Sequence, residues 1–202
     1  MGYGSYTAAD WEKLRNSRSL FSDSGAESIF NGNELQEKYD PRFINVRESR
    51  DSADSPLSTP IIVGFDVTGS MGYLAAEIAK NALNAAVTDI YDKQPVTNPQ
   101  ILCAAFTDTG ASHGALQVTQ FETDIRLVEQ LLELKVGFGG NLYSADPLVW
   151  YFAARHTSTD CAEKRGKKGY IFCIGDELCG EDRNHKLSIE TIKHVFGDRH
   201  VQ

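Results

Sequence analysis

Continuous apolar runs alternate with amphipathic segments along the chain from Pro60 onward. The run 61–65 (IIVGF) is bounded by Pro60 and by the turn residues VTGSMG, which is typical of a strand that is buried on both faces. The runs 101–106 (ILCAAF) and 170–175 (YIFCIG) have the same character. Residues 115–121 (ALQVTQF) alternate apolar and polar side chains, as a half-exposed strand at a sheet edge does. The pattern therefore predicts three buried strands and one edge strand.

Helical segments separate these strands. The Ala-rich stretch from Tyr73 to Tyr91 predicts a long helix that is covered on two neighbouring faces. One face should carry Leu74, Ile78, Ala82 and Ala85, and the other Leu83, Val87 and Ile90. Further helices are predicted over 125–132, from an Asp146 N-cap with Pro147 in the first turn through Arg155, and between a Ser188 cap and Gly197. This alternation predicts an α/β fold of the doubly wound class, with a mainly parallel sheet and helices on both faces.

Residues 1–59 differ in composition from the rest of the chain. They are rich in Ser, Asp, Asn, Gly and Arg, with widely spaced aromatic residues and one short helical candidate at 9–18. The aromatic residues favour an arm that packs on the following domain over full disorder. The charged, proline-ended segment 47–56 (RESRDSADSP) predicts a hinge. The expected organisation is a partly ordered arm over 1–59 and one domain over 60–202.

Charge and composition restrict the classes of partner. Twenty Lys and Arg against 28 Asp and Glu give a formal charge of −8, so the chain as a whole does not attract nucleic-acid phosphates. No apolar run approaches the ~20 residues that cross a bilayer, and the N-terminus lacks the features of a secretory signal. We therefore expect neither a nucleic-acid nor a membrane partner. The four cysteines, at 103, 161, 173 and 179, show no C-x-x-C spacing and predict reduced thiols in a cytoplasmic protein.

Three oxygen-rich loops lie where a site would form in this fold class. Residues 66–70 (DVTGS) follow the first buried strand, 139–141 (GGN) follow a helix, and 175–177 (GDE) follow the third buried strand. Their five hard oxygen donors suit a small divalent cation such as Mg²⁺. These donors are Asp66, Thr68, Ser70, Asn141 and Asp176. Because only two of them are charged, a bound cation would stay electrophilic and favour an acidic oxygen from another molecule.

These loops resemble the metal-ion-dependent adhesion site of von Willebrand factor type A domains. The resemblance rests on FDVTGSM, GGN and IGDE in their strand and loop contexts, and it covers roughly residues 60–202. In the family pattern Asp-x-Ser-x-Ser, Thr68 replaces the first Ser. Asn141 stands where a distant Thr is expected, with Ser144 as the alternative for that position. The arm, with GYGSY and RESRDS, is similar to bacterial members of the group that work inside cells.

The resemblance implies a module without enzymatic activity that binds a carboxylate of a protein partner through Mg²⁺, with Mn²⁺ or Ca²⁺ as alternatives. A second possibility is a structural subunit of a larger assembly. A third is a hydrolase using Ser70, Asp176 and a histidine, which is disfavoured because the Gly-x-Ser-x-Gly elbow is missing. A phosphotransferase using Asp66 would need an acid where Thr68 stands.

The end of the sequence carries a separate expectation. In a type A domain at least one more strand and a closing helix follow the segment that corresponds to LSIETIKHVFGD, residues 187–198. The strand 170–174 would then have an unpaired hydrophobic edge. We therefore expect either a C-terminally shortened domain, lacking the last strands, or a subunit whose edge is covered. The cover would be a partner, a symmetry mate or the N-terminal arm.

Overall fold

The secondary structure follows from a computed structural model, which describes residues 6–20, 29–30, 32, 34–109, 114–137, 139, 143–179 and 186–197. The strands are β1 (Arg47–Ser49), β2 (Thr59–Asp66), β3 (Pro99–Phe106), β4 (Leu116–Val118), β5 (Tyr143–Ser144), β6 (Thr157–Thr159), β7 (Tyr170–Ile174) and β8 (Leu178–Cys179). The α-helices are α1 (Ala8–Ser17), α2 (Gly72–Glu77), α3 (Leu83–Lys93), α4 (Arg126–Leu132), α5 (Asp146–Arg155), α6 (Asp160–Glu163) and α7 (Ile189–Phe196). A π-helical segment, Ile78–Ala82, joins α2 to α3, and Glu37–Tyr39 and Gly69–Met71 form short 3₁₀ helices.

A four-stranded sheet with the order β4-β3-β2-β7 lies at the centre of the fold. β2 runs parallel to both β3 and β7, whereas β4 runs antiparallel to β3. All eight residues of β3 are buried. Two short parallel pairs, β1 with β6 and β5 with β8, lie outside this sheet. The prediction of an α/β fold with a mostly parallel sheet is confirmed.

Two hydrophobic cores lie on opposite faces of the sheet. Ile61 and Phe65 of β2 belong to a core that includes residues of α3 and α4. Ile62, whose side chain points to the opposite face of β2, belongs to a second core with Phe152 of α5 and Phe196 of α7. Because successive side chains of a strand point to opposite faces, each face of the sheet is covered by helices.

The long predicted helix forms over residues 72–93, where Ile78, Leu83 and Val87 are buried as predicted and Ile90 is half-buried. The side chain of Leu74 lies outside the described residues. Ala82 and Ala85 are exposed, so their assignment to a covered face is wrong. The residues buried at a spacing of four are Ala75, Ala79, Leu83 and Val87. The physical reason is the π segment, in which the Leu83 N–H donates to the carbonyl of Ile78, five residues earlier. This wide turn rotates the following residues relative to a regular 3.6-residue period.

The two outer strands also differ from expectation. β4 lies at a sheet edge as predicted, yet it is buried rather than half-exposed. Its central Gln117 is satisfied there, because its side-chain amide donates to the Lys135 carbonyl and accepts from the Lys135 N–H, both at 2.9 Å. β7 is not the buried strand that the sequence predicts, since Tyr170, Phe172 and Ile174 are exposed. In the described part of the chain β7 has a neighbour, β2, on one side only.

Segment 47–56 is held in place, which differs from the predicted hinge. β1 pairs in parallel with β6, and the Arg50 guanidinium donates to Asp160 at 3.0 Å. Arg165 donates to Asp51 at 2.6 Å. Further upstream, Trp11 is among the arm residues that pack in the same core as Phe65.

The helix boundaries confirm the predicted cap of α7 and correct that of α5, where Ala145 and not Asp146 is the N-cap residue. α5 begins at Asp146 with Pro147 in its first turn and Ala145 at the N-cap position. The Ser188 hydroxyl accepts the Thr191 N–H at 3.0 Å, and Gly197 ends α7 with a φ of +79°.

Among the described residues, no helix combines the length and the apolar character that crossing a bilayer requires.

Candidate functional site

Three aspartates lie at the carboxyl ends of the three parallel strands. Asp66 is the last residue of β2, Asp108 stands two residues beyond β3, and Asp176 stands two residues beyond β7. The register pairs Asp66 with Phe106 and its neighbour Phe65 with Ile174. The three strands therefore end at the same edge of the sheet, where the charges of Asp108 and Asp176 act on Asp66.

Asp66 is the most deeply buried member of this group, with 1% of its surface exposed. Its Oδ1 accepts the backbone N–H of Thr68 at 2.7 Å. Within the described residues its Oδ2 is buried and accepts no hydrogen bond. An unpaired, buried carboxylate oxygen carries a high desolvation cost unless a cation or a donor satisfies it.

The pKa of Asp66 is raised above its ordinary value of 3.8, chiefly because burial disfavours the charged carboxylate. Hydrogen bonds from the backbone and side chain of Thr68 act in the opposite direction. The negative charges of Asp176 and Asp108 raise the pKa further. The electrostatic environment of Asp66 is therefore one that a cation would relieve.

Asp108 was not among the predicted site residues. It is buried, and it forms an antiparallel bridge with Ser144. Gly139 lies against its carboxylate, because a Cβ built at Gly139 would stand 2.5 Å from Asp108 Oδ2. Gly139 also has a φ of +84°, which side chains other than hydrogen disfavour. The rule that sites form at strand ends, applied to residues 101–106, points to Asp108.

The loop between α4 and α5 is tied to the ends of β2 and β3. The Gly137 N–H donates to the Val67 carbonyl at 2.8 Å, and the Ala145 N–H donates to the Thr107 carbonyl at 2.8 Å. Ser144 is buried, and its hydroxyl accepts the Asp146 N–H at 3.2 Å in the first turn of α5. These bonds place Ser144 at the same sheet edge as the three aspartates.

The predicted donors fall into two groups. Asp66, Thr68 and Asp176 lie together at the carboxyl edge, where Thr68 is buried and Asp176 is exposed. The side chain of Ser70 and the whole of Asn141 lie outside the described residues. Ser144, the alternative to Asn141, lies beside Asp108 at this edge.

The described side chains fit a cation site that also uses hydroxyl oxygens. No three His, Cys, Asp or Glu side chains in the described ranges are grouped so that they alone could hold a metal ion. The orphaned Asp66 Oδ2, the hydroxyl of Thr68 and the two neighbouring carboxylates are nevertheless hard oxygen donors of the kind that Mg²⁺, Mn²⁺ and Ca²⁺ take.

The cysteines do not contribute a reactive group to this edge. Cys103 is fully buried in β3, and burial raises the pKa of its thiol to about 12. Burial also raises the pKa of Cys173 and of Cys179 to about 11. Thiols with such pKa values are protonated at neutral pH and are weak nucleophiles and metal ligands.

Comparison of the chain with family models, with curated proteins and with solved structures gave no match.

Proposed function

We propose that this chain is a divalent-cation-dependent protein-interaction module of the von Willebrand factor type A kind, with a doubly wound sheet. The observation that carries the proposal is the buried Asp66, which has an unsatisfied Oδ2 and lies where the charges of Asp108 and Asp176 reach it. A structural role alone does not account for three carboxylates at one edge, because their mutual repulsion lowers the free energy of unfolding.

The cation would be held by Asp66, Thr68, Ser70 and Asp176, with Asn141 or Ser144 completing the set. When bound, it supplies a positive charge and a coordination position that an outside oxygen can take. Asp108 adds a third negative charge to the two that the sequence indicated. This charge increases the affinity for a cation and lowers the cation's own attraction for an incoming carboxylate.

The exposed position of Asp176 bears on the kind of ligand. Since Asp66, Thr68 and Asp108 are buried and Asp176 is exposed, the open side of the site lies toward Asp176 and Glu177. A carboxylate on the surface of a partner protein reaches the site from that side.

We assign the module to the cytoplasm, because its four free cysteines suit a reducing compartment.

The test couples cation binding to a carboxylate probe. Mg²⁺ is titrated calorimetrically into the whole chain in the presence of acetate, and again with acetamide, which has the same shape without the charge. We expect acetate to tighten Mg²⁺ binding and acetamide to leave it unchanged, because only the acetate charge attracts the bound cation and the coupling between two ligands is equal in both directions.

Asp66→Asn is the matched variant, since it keeps the oxygen that accepts the Thr68 N–H and removes the charge. It should lose most of the Mg²⁺ heat under both conditions. Equal Mg²⁺ binding by the wild type and Asp66→Asn would overturn the site. Tight Mg²⁺ binding that acetate does not affect would retain the site and overturn its role in carboxylate capture.

A further inference from the structure

Within the described part of the chain, the outer side of the five-residue strand β7 is an unpaired backbone edge of the central sheet. β2 occupies one side of β7, and no strand lies on the other side among the residues that the structure describes. The opposite edge of the sheet is different, because the Arg47 guanidinium donates to the Val118 carbonyl of β4 at 3.1 Å. An open strand edge is a template for a strand of another chain.

The side chains along this edge are apolar and accessible. Tyr170 is 48% exposed, Phe172 56% and Ile174 41%. These three residues pair with Ile61, Val63 and Phe65 and therefore lie on one face of the sheet. On the other face, Ile171 lines a cavity of about 810 Å³ together with Trp150 of α5. Such contiguous apolar exposure marks an interaction surface.

Opposite charges stand at the two ends of β7. Lys167 and Lys168 precede the strand, and Asp176 and Glu177 follow it, and all four are exposed. None of the four forms an ion pair within the described ranges. The backbone at the basic end is fixed, because the Lys167 N–H donates to the Cys161 carbonyl at 3.0 Å. The edge is therefore positive where β7 begins and negative where it ends.

We propose that the occupant of this edge is β7 of a second copy of the chain, paired antiparallel about a two-fold axis at Phe172. In this register every residue of the strand faces a residue of the other copy. Tyr170 lies opposite Ile174, Ile171 lies opposite Cys173, and Phe172 meets its own counterpart on the axis. Lys168 of each copy comes next to the acidic end of the other.

The distribution of charge selects this arrangement. A two-fold axis at a strand edge makes the paired strands antiparallel, so both basic ends meet acidic ends. A parallel pairing of two copies would place lysine beside lysine and acid beside acid, which is unfavourable for directly opposed residues. The two-fold arrangement also closes, because each copy uses the outer side of its own β7 once.

Charge-reversal variants test the pairing. One variant carries Lys167→Glu and Lys168→Glu, so both ends of its β7 are acidic. The other carries Glu177→Lys. Because Asp176 is kept, the two charges at the far end of its β7 then cancel. Asp176 is left unchanged, so that neither variant removes a proposed cation ligand, and the measurements are made in chelator. Light scattering after size exclusion should show the wild type as a dimer and each variant alone shifted toward monomer.

An equimolar mixture of the two variants should associate again, as a dimer with one copy of each. Misfolding does not produce this result, because two misfolded chains would not restore each other. A wild type that stays monomeric at high concentration would overturn the proposal, and so would variants that dimerise as well as the wild type. A mixture that fails to associate would overturn the antiparallel register.

The centre of the strand pairing is tested by replacing two equally exposed phenylalanines, one on the proposed axis and one away from it, with aspartate. Phe172→Asp places two carboxylates on the axis and should abolish the dimer. Phe43→Asp is the control, because Phe43 is equally exposed at 55% and lies in the arm. Loss of the dimer in both variants, or in neither, would overturn the assignment to β7.

Discussion

At the scale of single residues, Asp66 carries a charge that the metal-free fold accommodates poorly. Its pKa is raised in the folded state, so the folded chain binds this proton more tightly than the unfolded chain does. The stability that follows from this is present below the unfolded pKa of about 4 and is lost as the pH rises through the higher folded pKa. At neutral pH the ionised Asp66 therefore lowers the free energy of unfolding.

We expect Asp66→Asn to stabilise the chelator-treated protein at pH 7. Each 1 kcal/mol gained should raise Tm by about 2–4 °C for a chain of this size. The gain over wild type should disappear near pH 4 and below, where the wild-type carboxyl is protonated. Thermal unfolding in chelator across this pH range checks the sign. A variant that is less stable than wild type at pH 7 would show that the unpaired oxygen is satisfied in some other way.

Gly139 gives a second prediction at this scale. Gly139→Ala would bring a methyl group against Asp108 Oδ2 and move that carboxylate. Gly137→Ala is a matched control, because Gly137 has a similar φ of +78° and no atom within 4 Å of a Cβ built there. Both variants should lose a similar amount of stability, roughly 1 kcal/mol, from the strained backbone.

Only Gly139→Ala should weaken Mg²⁺ binding, by about tenfold, which corresponds to 1.4 kcal/mol. Calorimetric titration of the two variants separates the outcomes. Equal Mg²⁺ affinities would mean that the position of the Asp108 carboxylate does not matter to the site.

The residues show why part of the site could be predicted from the sequence. Asp66 and Thr68 stand in a spaced motif directly after an apolar run, so their place at a strand end follows from local pattern. Asp108 has no such motif, and its proximity to Asp66 arises only when β3 pairs with β2. Gly139 becomes informative for the same reason, since Asp108 is distant from it along the chain. Whether Asn141 or Ser144 completes the set stays a prediction.

At the scale of elements, the link between β1 and β3 rests on one buried polar pair. The Ser49 hydroxyl donates to Gln100 Oε1 at 2.7 Å, and Gln100 Nε2 donates to the Arg50 carbonyl at 2.9 Å. Both side chains are buried. This pair holds the segment that the sequence predicts as a hinge, and its partner is 51 residues away.

Gln100→Met should destabilise the chain by about 1–3 kcal/mol, because it leaves the buried Ser49 hydroxyl and the Arg50 carbonyl without this partner. Ser49→Ala combined with Gln100→Met should cost less than the sum of the two single variants, since the hydroxyl is then gone as well. Denaturant unfolding of the four proteins measures the difference. Strict additivity would show that the two side chains do not depend on each other.

Element types could be predicted where one local period dominates, whereas exposure was predicted correctly for β2 and β3 and wrongly for β4 and β7. The continuous apolar runs located β2, β3 and β7 correctly along the chain. It did not distinguish β3, which has neighbours on both sides, from β7, which has one described neighbour. The exposure of Ala82 and Ala85 has another cause, because the π turn over Ile78–Ala82 changes the phase of the helix at and after this point.

At the scale of the whole molecule, the arm and the α/β domain share one hydrophobic core. Tyr6, Trp11 and Tyr39 pack in the core that contains Phe65. The compositional change near residue 59 is therefore a change in sequence character without a corresponding break in packing. Composition reports local preference, whereas the aromatic residues of the arm are placed by contacts with distant parts of the chain.

β7 brings two proposed properties of the molecule onto one short strand. Its apolar residues form the open edge, and Asp176, two residues past its end, is one of the carboxylates whose charge reaches Asp66. Where two binding equilibria are linked, the linkage is equal in both directions. Whatever factor a bound cation applies to the dimer dissociation constant, dimer formation applies to the cation dissociation constant. A chain built in this way would respond to the concentration of a metal ion and to its own concentration through β7 and the two residues that follow it.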